Sequence, residues 1–189
     1  MALQTAEIWL VRHGETSWSR DWLHTSVTDV PLTEEGVEQA RALAVRLAGH
    51  TFAQVATSPR SRARRTAELA GFPDAVVDDD LAEWSYGRYE GVSTATIRET
   101  DPGWSVWTHS TPGGESADAV GARVDRVLSR ARAADGDVLL FGHAHALRVL
   151  AARWLGLPPE EGRRLRLDTG TISVLGYERE TAVIRVWNA

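Results

Sequence analysis

The 189-residue chain has no cysteine, which removes disulfide frameworks, thiolate zinc sites and thiol nucleophiles from consideration. It has no apolar run of membrane-spanning length, and Met1-Ala2-Leu3-Gln4 shows neither the basic start nor the apolar centre of a signal peptide. The expectation is a cytoplasmic protein with no membrane partner. An excess of positive charge is missing too. A formal net charge of −5 and a pI near 5.7 argue against a nucleic acid or an anionic membrane as partner. Internal repeats and low-complexity tracts are absent. What remains is ordinary for a globular protein: 43% hydrophobic and 25% charged residues, in a chain long enough for one domain with a sizeable core. Eight tryptophans are many for this length, and their positions bear on the site.

Taken in order, the chain alternates strand and helix. Ile8-Trp9-Leu10-Val11 reads as a buried strand that stops at Arg12-His13-Gly14-Glu15-Thr16. A polar, aromatic-dotted loop follows over residues 17–31. Thr33 then caps a helix whose first turn holds Glu34 and Glu35, with Val37, Ala40, Leu43, Ala44 and Leu47 on one face. Residues 53–57 form a second strand, and Ser58-Pro59 opens a helix running to about Ala70. Val76-Val77 is an edge strand. Residues 84–115 are irregular apart from a short helix near 94–99, and form a candidate lid or insertion. An amphipathic helix starts at Ser116, Val138-Leu139-Leu140-Phe141 is a buried strand ended by Gly142-His143, and a largely apolar helix spans 146–155. Strand segments at 166–168, 172–177 and 182–187 close the chain. The expected class is α/β: a single domain over 1–189, built as a three-layer α/β/α sandwich around a mostly parallel sheet.

Ligands in open α/β sheets bind just past the carboxyl ends of strands. Three such ends here carry anion-binding or imidazole chemistry: Arg12 and His13, then Ser58 with Arg62 one turn on, then His143. Parallel strands would bring these side chains to one edge. Gly14 would let the backbone come close to whatever they hold. Two arginines and two histidines around one point suit a phosphoryl group. A strand end with two solvated polar residues is the alternative for Arg12-His13 alone.

The motifs Leu10-Val11-Arg12-His13-Gly14-Glu15-Thr16 and Thr57-Ser58-Pro59-Arg60-Ser61-Arg62-Ala63-Arg64-Arg65-Thr66-Ala67 resemble the histidine phosphatase superfamily, the phosphoglycerate-mutase-like proteins. Leu81-Ala82-Glu83-Trp84-Ser85-Tyr86-Gly87-Arg88 and Phe141-Gly142-His143-Ala144-His145-Ala146-Leu147-Arg148 are similar to its later motifs, in the same order. Asp78-Asp79-Asp80-Leu81 before Glu83, the Trp84/Tyr86 pair and His143-x-His145 look most like the sugar-phosphate phosphatases of the sedoheptulose-bisphosphatase type.

The resemblance implies a phosphoglycerate-mutase-like fold and a role for each residue. His13 would be the nucleophile, making a phosphohistidine. Arg12 and Arg62 would grip the equatorial oxygens, and His143, as a cation, would stabilise transition-state charge. Glu83 would protonate the leaving alkoxide and then activate water, with Glu15 a rival that more simply braces the loop. Arg60, Arg64 and Arg65 read as a solvated helix face. Ser19, Thr25, Ser26, Tyr86 and Ala144 are the candidate substrate contacts. Two of these depart from the family pattern: many relatives have asparagine where Ser19 stands and glycine where Ala144 stands. His143-x-His145 also reads as a metal pair, but no carboxylate cluster or third histidine lies nearby in sequence, so neither metal nor cofactor is expected and His145 is placed behind the site.

Trp18, Trp22, Trp84, Trp104 and Trp107 fall in loops that should ring the pocket, and each reads equally as core. His24, Thr25, Arg88 and His109 could read the polar end of a substrate. The partner expected is a small phosphate ester, with a homodimer left open. The leading function is a metal-independent phosphomonoesterase. A phosphoglycerate-mutase-type phosphotransferase is second, disfavoured because residues 84–115 offer only Arg88 and Arg98 as extra cations. A non-catalytic phospho-ligand binder is third, disfavoured because His13, Arg62, Glu83 and His143 are all present.

Overall fold

In the computed structural model, which describes residues 6–189, the apolar runs form one six-stranded sheet. Its strands are β1 (Ile8–Arg12), β2 (Gln54–Thr57), β3 (Val76–Val77), β4 (Val138–Gly142), β5 (Ile172–Glu178) and β6 (Thr181–Val186), in the order β3-β2-β4-β1-β5-β6. β3, β2, β4 and β1 run parallel, whereas β5 and β6 are antiparallel additions. The helices are α1 (Ser17–Arg20), α2 (Glu34–Leu47), α3 (Ser61–Leu69), α4 (Thr94–Thr100), α5 (Ala117–Arg132) and α6 (Ala144–Trp154).

The layers follow from the period of two along each strand. Ile8 and Leu10 of β1, with Val138 and Leu140 of β4, face a core built on α5 and α6 through Val120, Val124, Val127, Leu147 and Leu150. Val11, Leu139 and Phe141 face the other way, onto Leu43 and Leu47 of α2 and Ala67 of α3. This is the expected three-layer sandwich. α6 is apolar on most sides because it is enclosed by the sheet, α5 and the 3₁₀ turn Pro159–Arg164.

Helix starts follow cap chemistry where the cap is local. Thr33 Oγ1 accepts from the Gly36 amide and Ser116 Oγ from the Ala119 amide, so α2 and α5 begin where the sequence places them. α3 does not. It begins at Ser61 rather than at Ser58-Pro59, and Arg60 occupies the cap position without a side-chain bond. The Ser61 amide is instead taken by Asp29 from a distant loop, at 2.9 Å. α6 starts at Ala144, two residues earlier than expected, for a related reason given below. Residues 166–168 form no strand.

The close approach at Gly14 is not to a ligand. A Cβ there would lie 2.2 Å from the Gly36 carbonyl oxygen, and a Cβ on Gly36 would lie 2.1 Å from that of Glu15. Bare backbone packs on bare backbone, which seats the His13 loop directly on the first turn of α2. Thr33 completes the joint: its amide and hydroxyl both donate to Glu15, at 2.9 Å to the carbonyl and 2.9 Å to Oε1. Glu15 therefore braces the loop. Either Gly14→Ala or Gly36→Ala is expected to lower the stability of the fold by about 3 kcal/mol, read as a reduced urea midpoint at unchanged slope.

Candidate active site

β1 delivers Arg12 at its last position and His13 just beyond it. β4 pairs in parallel with β1 and ends at Gly142, so His143 occupies the equivalent place one strand over. The two imidazoles meet edge to face with centroids 5.0 Å apart. Arg62, in the first turn of α3, lies close enough to depress both. Arg12, His13 and Glu83 line a cavity of about 720 Å³. A larger cavity, about 880 Å³, lies at the β3 edge among Phe52, Phe72, Val76 and Val77, and neither histidine reaches it.

His13 Nδ1 is 2.7 Å from the Gly14 carbonyl oxygen. A carbonyl only accepts, so Nδ1 carries the proton and Nε2 keeps its lone pair. Burial, then the charges of Arg62 and Arg12, hold this imidazole well below its ordinary titration range. His143 is depressed in the same way, by burial and then by Arg62, His13 and Arg12. Its Nε2 lies 2.7 Å from Ser58 Oγ, and its Nδ1 is buried without a partner. Against the protein's own charges, therefore, His143 is neutral rather than cationic.

The guanidiniums are held by carbonyls. Arg12 Nη1 donates to Leu167 O at 2.6 Å, and Arg62 donates to the carbonyls of Thr28, Thr25 and Ser26 at 3.0, 3.1 and 3.2 Å. The Nε of each is buried and unpartnered. Glu90 in turn holds the Arg62 cradle, accepting from the Ser26 amide at 2.9 Å, the Ser26 hydroxyl at 2.5 Å and the Thr28 amide at 3.0 Å. Burial alone would raise the Glu90 carboxyl, but these donors outweigh it and keep the group below its ordinary value.

Glu83 is buried at the start of α6. Oε1 accepts from the Trp84 amide at 2.8 Å and the Ala146 amide at 2.9 Å, and Oε2 from the His145 amide at 3.1 Å. This carboxylate serves as the helix cap in place of His143, which makes none. It does not bond the first amide, that of Ala144. Ala144 lines the cavity within a regular helix, so its Cβ imposes no strain.

The remaining candidates divide. Ser19 and Thr25 line the cavity, but the Ser19 hydroxyl accepts from the Thr16 amide at 2.9 Å as part of a capping box and donates to the Thr16 carbonyl at 2.9 Å, and the Thr25 hydroxyl donates to Leu23 O at 2.9 Å. Ser26 is buried and spends its hydroxyl on Glu90, so it holds the cradle and does not face the cavity. Tyr86 lines the cavity with its hydroxyl 2.5 Å from His145 Nδ1. Burial, then Glu83, push this phenol well above its ordinary value, so it keeps its proton. His145 thus stands on the cavity wall rather than behind it. His143 and His145 turn to different partners, Ser58 and Tyr86, and do not converge on a common point as a metal pair would.

Trp84 and Trp104 are core, while Trp22 and Trp107 line the cavity. His24 lines it too, but Arg88 and His109 are exposed elsewhere. Arg60 is half-buried with an unpartnered Nε, unlike the exposed Arg64 and Arg65. Sequence reasoning missed Arg148, Arg166 and Asp168 on the cavity wall. Arg148 lay within reach of it: one helical turn beyond Ala144, it faces the same way, and its guanidinium sits 4.6 Å over the Trp107 ring.

The sequence profile of the histidine phosphatase superfamily (branch 1) matches residues 8–189. The chain is 42% identical to an acid phosphatase of Mycobacterium tuberculosis, over 97% of this chain and 94% of that one. It is 34% identical to sedoheptulose 1,7-bisphosphatase of Saccharomyces cerevisiae, over 78% of this chain and 67% of the other. A solved structure of a Mycobacterium tuberculosis open reading frame product superimposes with a TM-score of 0.91 at 40% identity, covering 97% of each chain.

Two outcomes follow from this geometry. Burial, only partly offset by Glu90, lowers His24 to about 4, against 6.5 for a free imidazole. The unfolded chain therefore takes up this proton first as the pH falls. Stability is complete above pH 6.5 and is lost toward pH 4, with at least about 2 kcal/mol gone by pH 5 in urea titrations. Removing the cradle's support by Glu90→Ala is expected to weaken binding of inorganic phosphate about tenfold by calorimetry, because Arg62 loses its fixed direction.

Proposed function

The chain belongs to the histidine phosphatase superfamily, and from that premise we propose that it is a metal-independent phosphomonoesterase acting on a small sugar phosphate through a phosphohistidine on His13. The observation that carries the reading is the His13 tautomer: Nδ1–H is committed to the Gly14 carbonyl, which leaves Nε2 bare on a ring that feels the charges of Arg62 and Arg12. The mycobacterial relative is an acid phosphatase, and the yeast relative is a phosphatase of a sugar bisphosphate.

In this reading Nε2 attacks phosphorus as the bond to the leaving oxygen breaks. The unpartnered Nε groups of Arg12 and Arg62 and the free Ala144 amide supply donors to the phosphoryl oxygens. The phosphoryl charge raises His143, which then takes up a proton and adds positive charge where the transition state needs it. Glu83 Oε2, with a single long amide bond, is the oxygen free to hand a proton to the leaving alkoxide. It recovers that proton from water in the second half-reaction, when the water oxygen bonds to phosphorus and the phosphorus–nitrogen bond breaks. A cavity of about 720 Å³ walled by Leu23, Val106 and Trp107, with His24, Thr94 and His145 as polar contacts, suits a sugar-sized leaving group.

Phosphate release is to be measured over phosphorylated sugars, glycerates, nucleotides and p-nitrophenyl phosphate, with EDTA present. Turnover is expected to survive the chelator, vanish in His13→Ala and fall about 10²–10⁴-fold in Glu83→Gln on sugar phosphates. Release only with added metal would sink the reading. Phosphoryl transfer within the substrate without release would replace it with a mutase.

A further inference from the structure

Outside the cavity, the most densely bonded polar group among the described residues is the ion pair of buried Arg123 with half-buried Glu115, and its bonds converge on the segment that carries Glu83. Arg123 of α5 reaches Glu115 through Nε at 2.8 Å to Oε1 and Nη2 at 3.1 Å to Oε2. Its Nη1 donates to two carbonyls, those of Asp80 at 2.8 Å and Ala82 at 2.7 Å. Glu115 binds the other side: its Oε2 accepts from the Ser85 amide at 2.8 Å, its carbonyl accepts from Trp84 Nε1 at 2.9 Å, and its amide donates to the Ser85 carbonyl at 2.9 Å. The backbone immediately before Glu83 and that two residues after it are thus tied to the same pair. Neither Arg123 nor Glu115 lines the cavity.

We propose that Arg123 and Glu115 are positioning residues for Glu83, fixing its carboxylate at the start of α6 so that Oε2 meets the leaving oxygen. The proposal rests on the reading of Glu83 as the general acid. A planar guanidinium is needed because three directions must be held at once: two carbonyls on one nitrogen and a carboxylate across the other two. The Glu83 side chain has freedom to turn, and its bonds to the Trp84, His145 and Ala146 amides form only if residues 82–85 sit at the correct height against α6. Arg123 supplies that height from α5, and Glu115 from the residue just before the helix cap. Neither touches the reacting atoms.

General acid assistance gives the test its selectivity. An alkyl or sugar alkoxide departs only with a proton, whereas p-nitrophenolate departs without one. Loosening Glu83 should slow the first class of substrate and spare the second, whereas general damage to the fold slows both. The experiment compares kcat/KM for a sugar phosphate and for p-nitrophenyl phosphate in the wild type, Arg123→Met, Arg123→Lys, Glu115→Gln and Glu83→Gln. The expected result is a loss of about tenfold or more on the sugar phosphate for Arg123→Met, with less than about threefold on the aryl ester, and partial recovery in Arg123→Lys. Glu83→Gln should show the same selectivity, more strongly. If Arg123→Met does not fold, Arg123→Lys and Glu115→Gln carry the comparison. Equal losses on both substrates while Glu83→Gln stays selective would overturn the positioning role and leave the general acid in place. An unselective Glu83→Gln would overturn the general acid and the proposal with it.

Discussion

Two guanidiniums, Arg12 and Arg62, are set beside two imidazoles with carbonyl oxygens, not carboxylates, as their direct partners. Burying a cation in this way is costly, and carbonyl dipoles offset only part of that cost. The surrounding structure is arranged to bear it. Residues 25–28 turn three carbonyls onto Arg62, and Glu90 holds that turn from behind through the Ser26 and Thr28 amides. Leu167 presents its carbonyl to Arg12, and the neighbouring Asp168 is tied through its own amide and carboxylate to the Asn188 side chain near the end of the chain. The Nε of each guanidinium stays buried without a partner. Burial, with the charges of Arg62 and Arg12 added to it, holds both His13 and His143 below their ordinary titration range.

The chain contains no lysine; all 21 basic residues are arginines. At four positions a guanidinium grips backbone carbonyls. Arg62 holds three carbonyls, Arg123 two carbonyls and a carboxylate, Arg148 the carbonyls of Gly162 and Arg163 while lying on Trp107, and Arg12 a carbonyl while keeping a donor free. An ammonium presents a point charge on a mobile stem and could not hold several backbone segments in fixed directions. Arginine here serves as a backbone connector as much as a charge.

The α/β order, the parallel core and the convergence of Arg12, His13, Arg62 and His143 were legible because each depends on local signals: apolar runs of strand length, helical spacing, and charged residues immediately past a strand. What was not legible depends on partners distant in sequence. Ser58-Pro59 looks like a helix start, but Asp29 supplies the acceptor and α3 begins at Ser61. Ser26 looks like a ligand hydroxyl, but Glu90, 64 residues away, takes it. Gly14 reads as room for a ligand, when the close neighbour is the backbone of Gly36. Trp84 and Trp104 are core because the irregular segment 84–115 folds over their rings, an arrangement no periodicity encodes.

The two-residue error at α6 has the largest chemical consequence. A helix starting at residue 146 would leave Ala144 and His145 in a loop, with their amides pointing anywhere. Beginning instead at Ala144, α6 aligns its first three amides toward the ends of β1 and β4, where its dipole is positive. Glu83 takes the second and third and leaves the first unbonded. That division fixes the Glu83 carboxylate on one rigid element. It also explains why the cap comes from residue 83 and not from His143: a side chain occupied in capping its own helix could not turn its ring toward His13.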